Sequence, residues 1–239
     1  GTLDPMVTGL LPIGIGESTK ALSTLLVGKK EYYAIARLHG PVETEKLTQV
    51  FNEFTGEIYQ RPPQRSAVKR VTRTRTIYAL EIMENDGTFL LLRVLCEAGT
   101  YVRKLIYDIG EVIGPGATMI ELRRSQVSHL NEKNGLLRLH DLVNSVHFWK
   151  DKNDERKIRL AVKPVEYAVS HMKAVVIRDS AVDAICNGAK LAIPGVLKLS
   201  KDIVKEDTVC MYTLKGELIA IGTAEMSTVE IVEAEKGIA

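Results

Sequence analysis

A chain of 239 residues with 45% apolar side chains suits one large or two modest globular domains, and no apolar run approaches the length of a membrane span. No basic-apolar secretion signal opens it, and Cys96, Cys186 and Cys210 lie far apart with no Cys-x-x-Cys pair, which argues against a zinc site and for a reducing compartment. A net charge of +2 announces no nucleic-acid partner by itself, so any such reading rests on where the charges sit.

The chain opens on Gly1-Thr2-Leu3-Asp4-Pro5. Pro5 biases Asp4 away from helix, so a tight turn carrying a carboxylate is expected; alone, an Asp-Pro turn is commonplace. Leu22 to Val27 is a short apolar stretch before Gly28, and Tyr32 to Leu38 is strand-rich, ending at His39-Gly40-Pro41. The spacing of Leu47, Val50, Phe51 and Phe54 predicts a helix over Glu43 to Phe54, with Gly56 as its stop. Thr76 to Met83 and Thr88 to Cys96 read as strands joined through the hairpin turn Asn85-Asp86-Gly87. Val102 to Ile113 reads as a helix closed by Gly114-Pro115-Gly116, and Met119 to Arg124 as a short strand or helix edge.

From Leu142 to Ser170 the pattern turns helical and charged, as a connector would be. Ala174 to Ile177 is a β-run; Asp179-Ser180 caps a short helix over Ala181 to Asn187, which Gly188 ends. Leu191 to Ile193 and Val196 to Leu199 flank Pro194-Gly195 as strands, and Thr208 to Thr213 pairs with Glu217 to Thr223 around Lys215-Gly216. This turn-rich tail predicts a small β-barrel. The histidines His39, His129, His140, His147 and His171 show no metal-ligand spacing and read as structural.

One charge cluster stands out. Arg61, Arg65, Lys69, Arg70, Arg73 and Arg75 fall in one segment with no acid among them and with Pro62-Pro63 to stiffen it. A charge run is usually a solvated face, but a one-signed loop in a near-neutral chain fits a phosphate backbone better. Arg123, Arg124 and Lys104 are expected to extend that basic surface.

Asp4-Pro5, then Lys30-Glu31-Tyr32, Gln60-Arg61-Pro62-Pro63, Gly99-Thr100-Tyr101-Val102-Arg103 and Leu122-Arg123-Arg124, in that order and spacing, resemble the TruB-type RNA pseudouridine synthases. The Arg37-Leu38-His39-Gly40 stretch and Ser66 to Arg70 resemble the box H/ACA guide-dependent, dyskerin-like branch of that family. Gly188-Ala189-Lys190-Leu191 and Pro194-Gly195-Val196 resemble a PUA domain. The implied fold is α+β: a mixed-sheet catalytic domain over 1–142, N-terminally incomplete, a helical connector over 143–172, and a PUA barrel over 173–239 that stops before the family's last strand. One departure is local. After Leu122-Arg123-Arg124 the family tends to read Thr/Val-Arg-Ser-Gly, where this chain has Ser125-Gln126-Val127-Ser128.

The resemblance implies conversion of uridine to pseudouridine, its C-glycoside, in ribosomal RNA, with transfer RNA as a second target, without metal or organic cofactor. Asp4 matches the family's catalytic carboxylate, which serves as nucleophile or as partner to a developing sugar cation. Arg103 matches the arginine that keeps that carboxylate ionised when substrate seals the site. As a plain surface residue its charge would oppose the dipole at a helix start. Tyr32 matches the tyrosine that stacks on an extruded base and takes part as a base; without the resemblance it would read as strand packing, with Tyr33 on the opposite face. Tyr101 and Leu122 match pocket-lining positions and would otherwise read as core.

Arg61, Arg65, Lys69, Arg70 and Arg73 are the expected contacts to RNA in the first domain. Arg178, Gly188, Lys190 and Gly195 are those in the second, where glycine lets RNA approach the main chain. The implied partners are a box H/ACA guide RNA, its substrate RNA, and small accessory proteins of zinc-ribbon-like, glycine-arginine and kink-turn-binding types. The implied location is the cytoplasm of an archaeon, favoured by the lack of a lysine-rich tail, or the nucleolus of a eukaryote. Rival readings are a stand-alone transfer-RNA enzyme, an inert RNA-binding scaffold, and a PUA-tagged metabolic enzyme. Intact identities at all five matched site positions oppose the scaffold, and the lack of a Walker or Rossmann glycine pattern opposes the metabolic enzyme.

Overall fold

The computed structural model describes residues 3–62, 71–234 and 236–239. Contacts divide the chain into two units, Gly1–Ile15 with Leu22–Leu139, and Gly16–Ala21 with His140–Ala239.

The first unit is a mixed sheet with two helices packed on one face. Its strands are β1 (Val7–Gly9), β2 (Lys30–Leu38), β3 (Gly56–Gln60), β4 (Arg73–Asn85), β5 (Phe89–Cys96), β6 (Ala117–Val127) and β7 (Leu130–Asn131). They run in the order β1-β6-β2-β5-β4-β3, with β7 on β6; β1 and β6 are parallel and the other pairs antiparallel. The helices are α1 (Leu22–Leu26), α2 (Thr44–Glu53) and α3 (Val102–Ile113). Strand alternation makes the core: Leu90, Leu92, Val94 and Cys96 of β5 point one way and are buried with Ala34, Ala36 and Leu38 of β2. Onto that face α2 sets Leu47, Val50 and Phe51, and α3 sets Leu105, Ile106, Ile109 and Ile113. Each such aliphatic side chain contributes roughly 1.5–3 kcal/mol when fully buried. Gly110 lets α3 lie on the start of β6, because a Cβ there would fall 2.1 Å from the Ala117 nitrogen.

The second unit carries β8 (Lys173–Ile177), β9 (Val196–Leu199), β10 (Thr208–Tyr212) and β11 (Leu218–Thr223) in the order β11-β10-β8-β9, with β10 and β8 parallel. Around it lie α4 (Leu139–Lys152), α5 (Arg156–Ala161), α6 (Val165–Val169), α7 (Asp179–Cys186) and α8 (Thr228–Glu233). The stretch read as a connector contributes to this unit. Val169 is buried against Cys210, and a Glu166 carboxylate oxygen accepts the Leu218 N–H at 2.9 Å. Among the described residues no helix is long and apolar enough to cross a membrane.

Three local expectations need correction. Met119 to Arg124 is the middle of an eleven-residue strand, Ala117–Val127, whose adjacent arginines hide its alternation. Leu191 to Ile193 is no strand; Pro194 breaks the ladder, and the chain forms a 3-10 turn at Ile193–Gly195 with a single bridge, Ala192 to Ile238. Gly56 is more than a helix stop: its φ of +114° turns the chain into β3.

Candidate active site and nucleic-acid interface

The predicted turn at Asp4 is present, closed by the Val7 N–H on the Asp4 carbonyl at 2.9 Å. What places it is the strand that follows. β1 lies along β6 with Val7 opposite Leu122 and Gly9 opposite Arg124, and on the far side of β6 Ala34 is opposite Leu122 and Tyr32 opposite Arg124. Three strands therefore bring the aspartate turn, Leu122, Arg124 and Tyr32 to one end of the sheet. The contact is close: a Cβ on Gly9, whose φ is +102°, would stand 2.2 Å from the Arg124 carbonyl oxygen. From the other side α3 begins at Val102, setting Arg103 in its first turn with its guanidinium 3.8 Å from the Asp4 carboxylate.

That pair is open to solvent in the free chain. The side chains of Arg103 and Asp4 are 59% and 69% exposed, so in the free protein they face water across an open site. Tyr32 is half-buried beside the core and Tyr33 lies on the opposite face, as strand alternation requires. Burial pushes the Tyr32 phenol above its ordinary pKa. Neighbouring Cys96 and Asp4 add to the rise, while the charge and hydrogen bond of Arg124 oppose it, and the phenol keeps its proton at neutral pH. Burial likewise raises the Cys96 thiol to about 11, so it sits inert behind Tyr32.

Two residues that the sequence did not assign to the site help to build it. Arg124, expected on the basic surface, is only 2% exposed. Its Nε donates to the Leu10 carbonyl at 2.9 Å, and its own carbonyl accepts the Leu10 N–H at 2.7 Å, so it ties the N-terminal segment to β6 beneath Tyr32. A β-bulge aims it there: Gln126 pairs with Glu31 and Arg124 with Tyr32, leaving Ser125 as the extra residue. The Ser125 hydroxyl is used in turn, donating at 2.8 Å to Glu31, which Arg93 pairs at 2.7 Å. Gln60, at the end of β3, is 2% exposed and its side-chain amide bonds both the N–H and the carbonyl of Tyr101. Leu122 belongs to the hydrophobic core and also ends at the site.

Arg61, just beyond β3, and Arg73, the first residue of β4, are exposed; Arg61 lines an open groove with Tyr59, Thr72 and Lys104 and with the acids Glu53 and Asp108. Arg65, Lys69 and Arg70 lie outside the described residues. Two arginines leave the expected phosphate surface: Arg75 pairs with Glu97 at 3.4 Å, and Arg123 with Glu132 at 2.9 Å. Lys104 is engaged by Asp108, one helical turn on.

In the second unit Gly188 has a φ of +87° and open space around it, and together with Lys190 it lines a cavity of about 280 Å³ walled by Leu191, Val209 and Met211. Lys190 is paired across the mouth with Glu225 at 2.6 Å. Arg178 and Gly195 meet elsewhere, through the Arg178 N–H on the Gly195 carbonyl at 2.8 Å. Packing alone gives Gly195 a reason to be glycine, since a Cβ would touch Leu191 at 3.0 Å. Among the described residues no group of three His, Cys, Asp or Glu side chains is arranged to hold a metal ion.

Comparison with known proteins matches residues 1–102 to the TruB family pseudouridylate synthase N-terminal domain, 103–170 to the tRNA pseudouridylate synthase B C-terminal domain, and 173–239 to the PUA domain. The chain is 49% identical over 239 residues to the probable tRNA pseudouridine synthase B of Methanosarcina barkeri, covering all of this chain and 70% of that protein. To the protein of the same name from Pyrococcus abyssi it is 51% identical, covering 72% of it. Among solved structures it is similar to a chain of a Cbf5-Nop10-Gar1 complex, with a TM-score of 0.92 and 49% identity over all of this chain and 73% of that one. It is equally similar to a chain of an H/ACA RNP bound to a substrate RNA containing 2'-deoxyuridine, with a TM-score of 0.92 and 46% identity over all of this chain and 72% of that one.

Proposed function

The chain belongs to the TruB family of pseudouridylate synthases, and from that premise we propose that it is the catalytic subunit of a box H/ACA guide-RNA particle, with Asp4, Arg103 and Tyr32 as its reacting centre. Pseudouridine synthases are isomerases. The N1–C1′ bond of uridine breaks, the uracil turns, C5 joins C1′, and the C5 proton leaves as N1 gains one. Atoms balance without a co-reactant. Asp4 supplies the anion that meets the sugar, and Arg103 holds it ionised once RNA covers the site. Tyr32 presents its ring to the flipped base. Its protonated phenol, bonded to Arg124, gives up its proton only transiently if it serves as a base. Tyr101 and Leu122 wall the pocket.

Arg61 and Arg73, with Arg65, Lys69 and Arg70 between them, follow the substrate backbone. Residues 173–239 form a PUA domain that holds the guide's 3′ end through Arg178, Gly188, Lys190 and Gly195; 1–142 form the catalytic domain, and 143–172 link the two. Small accessory proteins of the H/ACA type complete the particle, in the cytoplasm of an archaeal cell. The similarity to chains solved in H/ACA assemblies supports the guide-dependent reading over a stand-alone transfer-RNA enzyme.

The observation that carries the chemistry is the convergence of the Asp4 turn, Tyr32 and Arg103, delivered by β1, β2 and α3 to one end of the sheet. Tritium release from RNA carrying C5-labelled uridine tests it, with and without guide RNA and accessory proteins. Turnover is expected only with the guide and is abolished by Asp4→Asn, an isosteric amide that neither ionises nor attacks, while RNA binding stays near wild type. Residual turnover above a few per cent in that variant removes Asp4 from the centre, and guide-independent turnover on transfer RNA favours the stand-alone enzyme.

A further inference from the structure

We propose that Gln60 is a positioning residue for the isomerisation: its side-chain amide sets the register of the helix start that presents Arg103 to Asp4. This rests on the reading of Asp4 and Arg103 given above.

The Tyr101–Arg103 segment needs an outside holder. Tyr101 is the N-cap of α3, yet its side chain makes no capping hydrogen bond, and no acid stands in the first turn to balance Arg103. Helix starts leave N–H groups without intrahelical partners, and a cation there is opposed by the helix dipole. Left to itself, this first turn would fray.

Gln60 supplies the hold from 41 residues away. Its Oε1 accepts the Tyr101 N–H at 2.9 Å, and its Nε2 donates to the Tyr101 carbonyl at 3.2 Å. The amide orientation follows from chemistry, because a flipped amide would face NH₂ to N–H and oxygen to oxygen. Two antiparallel bonds fix Tyr101 in both position and rotation, which one bond cannot do. The Tyr101 carbonyl also accepts the first bond of α3, from Leu105 at 2.9 Å, so the clamp acts on the helix axis itself.

Gln60 is itself anchored. It is the last residue of β3, opposite Arg73, with its side chain 2% exposed and buried Pro62 just beyond. A buried amide held this way is rigid, and its neighbours Arg61 and Arg73 are the exposed cations of the proposed RNA surface. The same residue thus joins the strand pair that grips RNA to the helix start that carries the reacting arginine. Gln60 touches no reacting atom, and its effect runs through Tyr101 to Arg103.

Gln60→Glu supplies a test with a signature that mere loss of fold cannot imitate. A carboxylate at 60 still accepts the Tyr101 N–H but repels its carbonyl. A protonated carboxyl rebuilds both bonds, with O–H as donor and C=O as acceptor. Burial and the facing carbonyl raise the acid's pKa above its free value of about 4.3. Single-turnover tritium release and RNA affinity are measured from pH 5 to pH 8 for wild type, Gln60→Glu, Gln60→Met and Asp4→Asn, each in the assembled guide-RNA complex.

The expected result is a loss of about 100-fold in turnover for Gln60→Glu at pH 8, the scale of a misplacement near 1 Å, with RNA affinity unchanged. The deficit relative to wild type shrinks toward pH 5. Gln60→Met loses turnover at every pH. A Gln60→Glu rate equal to wild type at pH 8, a deficit that does not change with pH, or a deficit carried by weaker RNA binding overturns the proposal, and a Gln60→Met protein too unstable to assay leaves the Gln60→Glu profile to decide. An active Asp4→Asn control would instead refute the assignment of the reacting centre.

Discussion

Two arginines flank the candidate site, and the structure gives them opposite energetic signatures. Arg103 meets Asp4 at 3.8 Å with both side chains largely in water. In water that separation is worth about 1 kcal/mol of Coulomb energy, before the entropy of ordering two long side chains and screening by salt are subtracted. Arg103→Met should therefore cost less than about 1 kcal/mol of stability. Arg124 is 2% exposed, donates to the Leu10 carbonyl at 2.9 Å, and lies close enough to Tyr32 to counter the rise of its phenol pKa. A hydrogen bond from a charged donor contributes roughly 1.5–3 kcal/mol, and the Leu10 carbonyl is left without its partner when the guanidinium goes. Relief of repulsion with Lys30, whose pKa is lowered by burial and then by Arg124, offsets part of the loss. Arg124→Met should then cost up to about 3 kcal/mol, a fall of up to about 10 °C in melting temperature for a unit of this size.

Thermal unfolding by circular dichroism, with single-turnover tritium release on the same samples, separates the two arginines. Arg103→Met is expected to melt with wild type and lose turnover. Arg124→Met is expected to melt early and lose turnover in part through a displaced Tyr32. Equal falls in melting temperature would refute the exposure argument, and a wild-type melt for Arg124→Met would refute the tie through Leu10.

Two further outcomes concern the fold. Ser128 stands at φ 53° where the resembling family reads glycine, and Ser128→Gly should gain about 0.5–1 kcal/mol in urea denaturation by removing left-handed strain; a loss would show that the close approach of its side chain to Gly28, where a Cβ would fall 2.6 Å from the Ser128 Cβ, matters more. In the second unit the hydrogen bond from Lys173 and then the Val204 N–H hold the Asp207 carboxyl below its usual range, while the bond to Asp207 raises Lys173. Asp207 therefore adds stability above a pH of about 4 that is lost as pH falls through its folded pKa, and Lys173 adds stability below about 10.4 that is lost as pH rises through its own. Asp207→Asn should flatten the acid arm of the melting-temperature profile, and an unchanged acid arm would remove the pair from the account.

The proposed reacting residues could be named from the sequence only through the order and spacing of their motifs, since an Asp-Pro turn alone is commonplace and Tyr101-Val102-Arg103 alone reads as the start of an amphipathic helix. The supports could not be named. Arg124 sits two residues beyond core Leu122, the strand period that puts both on one face, but adjacent arginines look like surface. The bulge at Ser125 that aims Arg124 inward has no composition of its own. Gln60 follows Ile58 at the same period in β3, and Pro62-Pro63 drew attention to the loop instead of the strand end. The capping box of α8, Ser227 with Glu230, is written in the sequence, but it stands in a segment with no other helical signal. Exposure was the least legible property, since no pattern along the chain tells whether an ion pair across 99 residues opens to water.

That exposure bears on when the site becomes active. An ion pair worth about 1 kcal/mol in water is worth about 4 kcal/mol at the same separation in an effective dielectric near 20. RNA laid over Asp4 and Arg103 would bring them toward the second regime without moving either group. On the proposed assignment, the free chain carries a carboxylate loosely coupled to its arginine, and the RNA-bound state would carry one held ionised and oriented toward the sugar. Tyr32 and Arg124, half-buried and buried in the free chain, change little by comparison. Substrate binding thus completes the solvent-facing half of the site, while the sheet-facing half stands ready, and an arginine that barely stabilises the fold can still decide the rate.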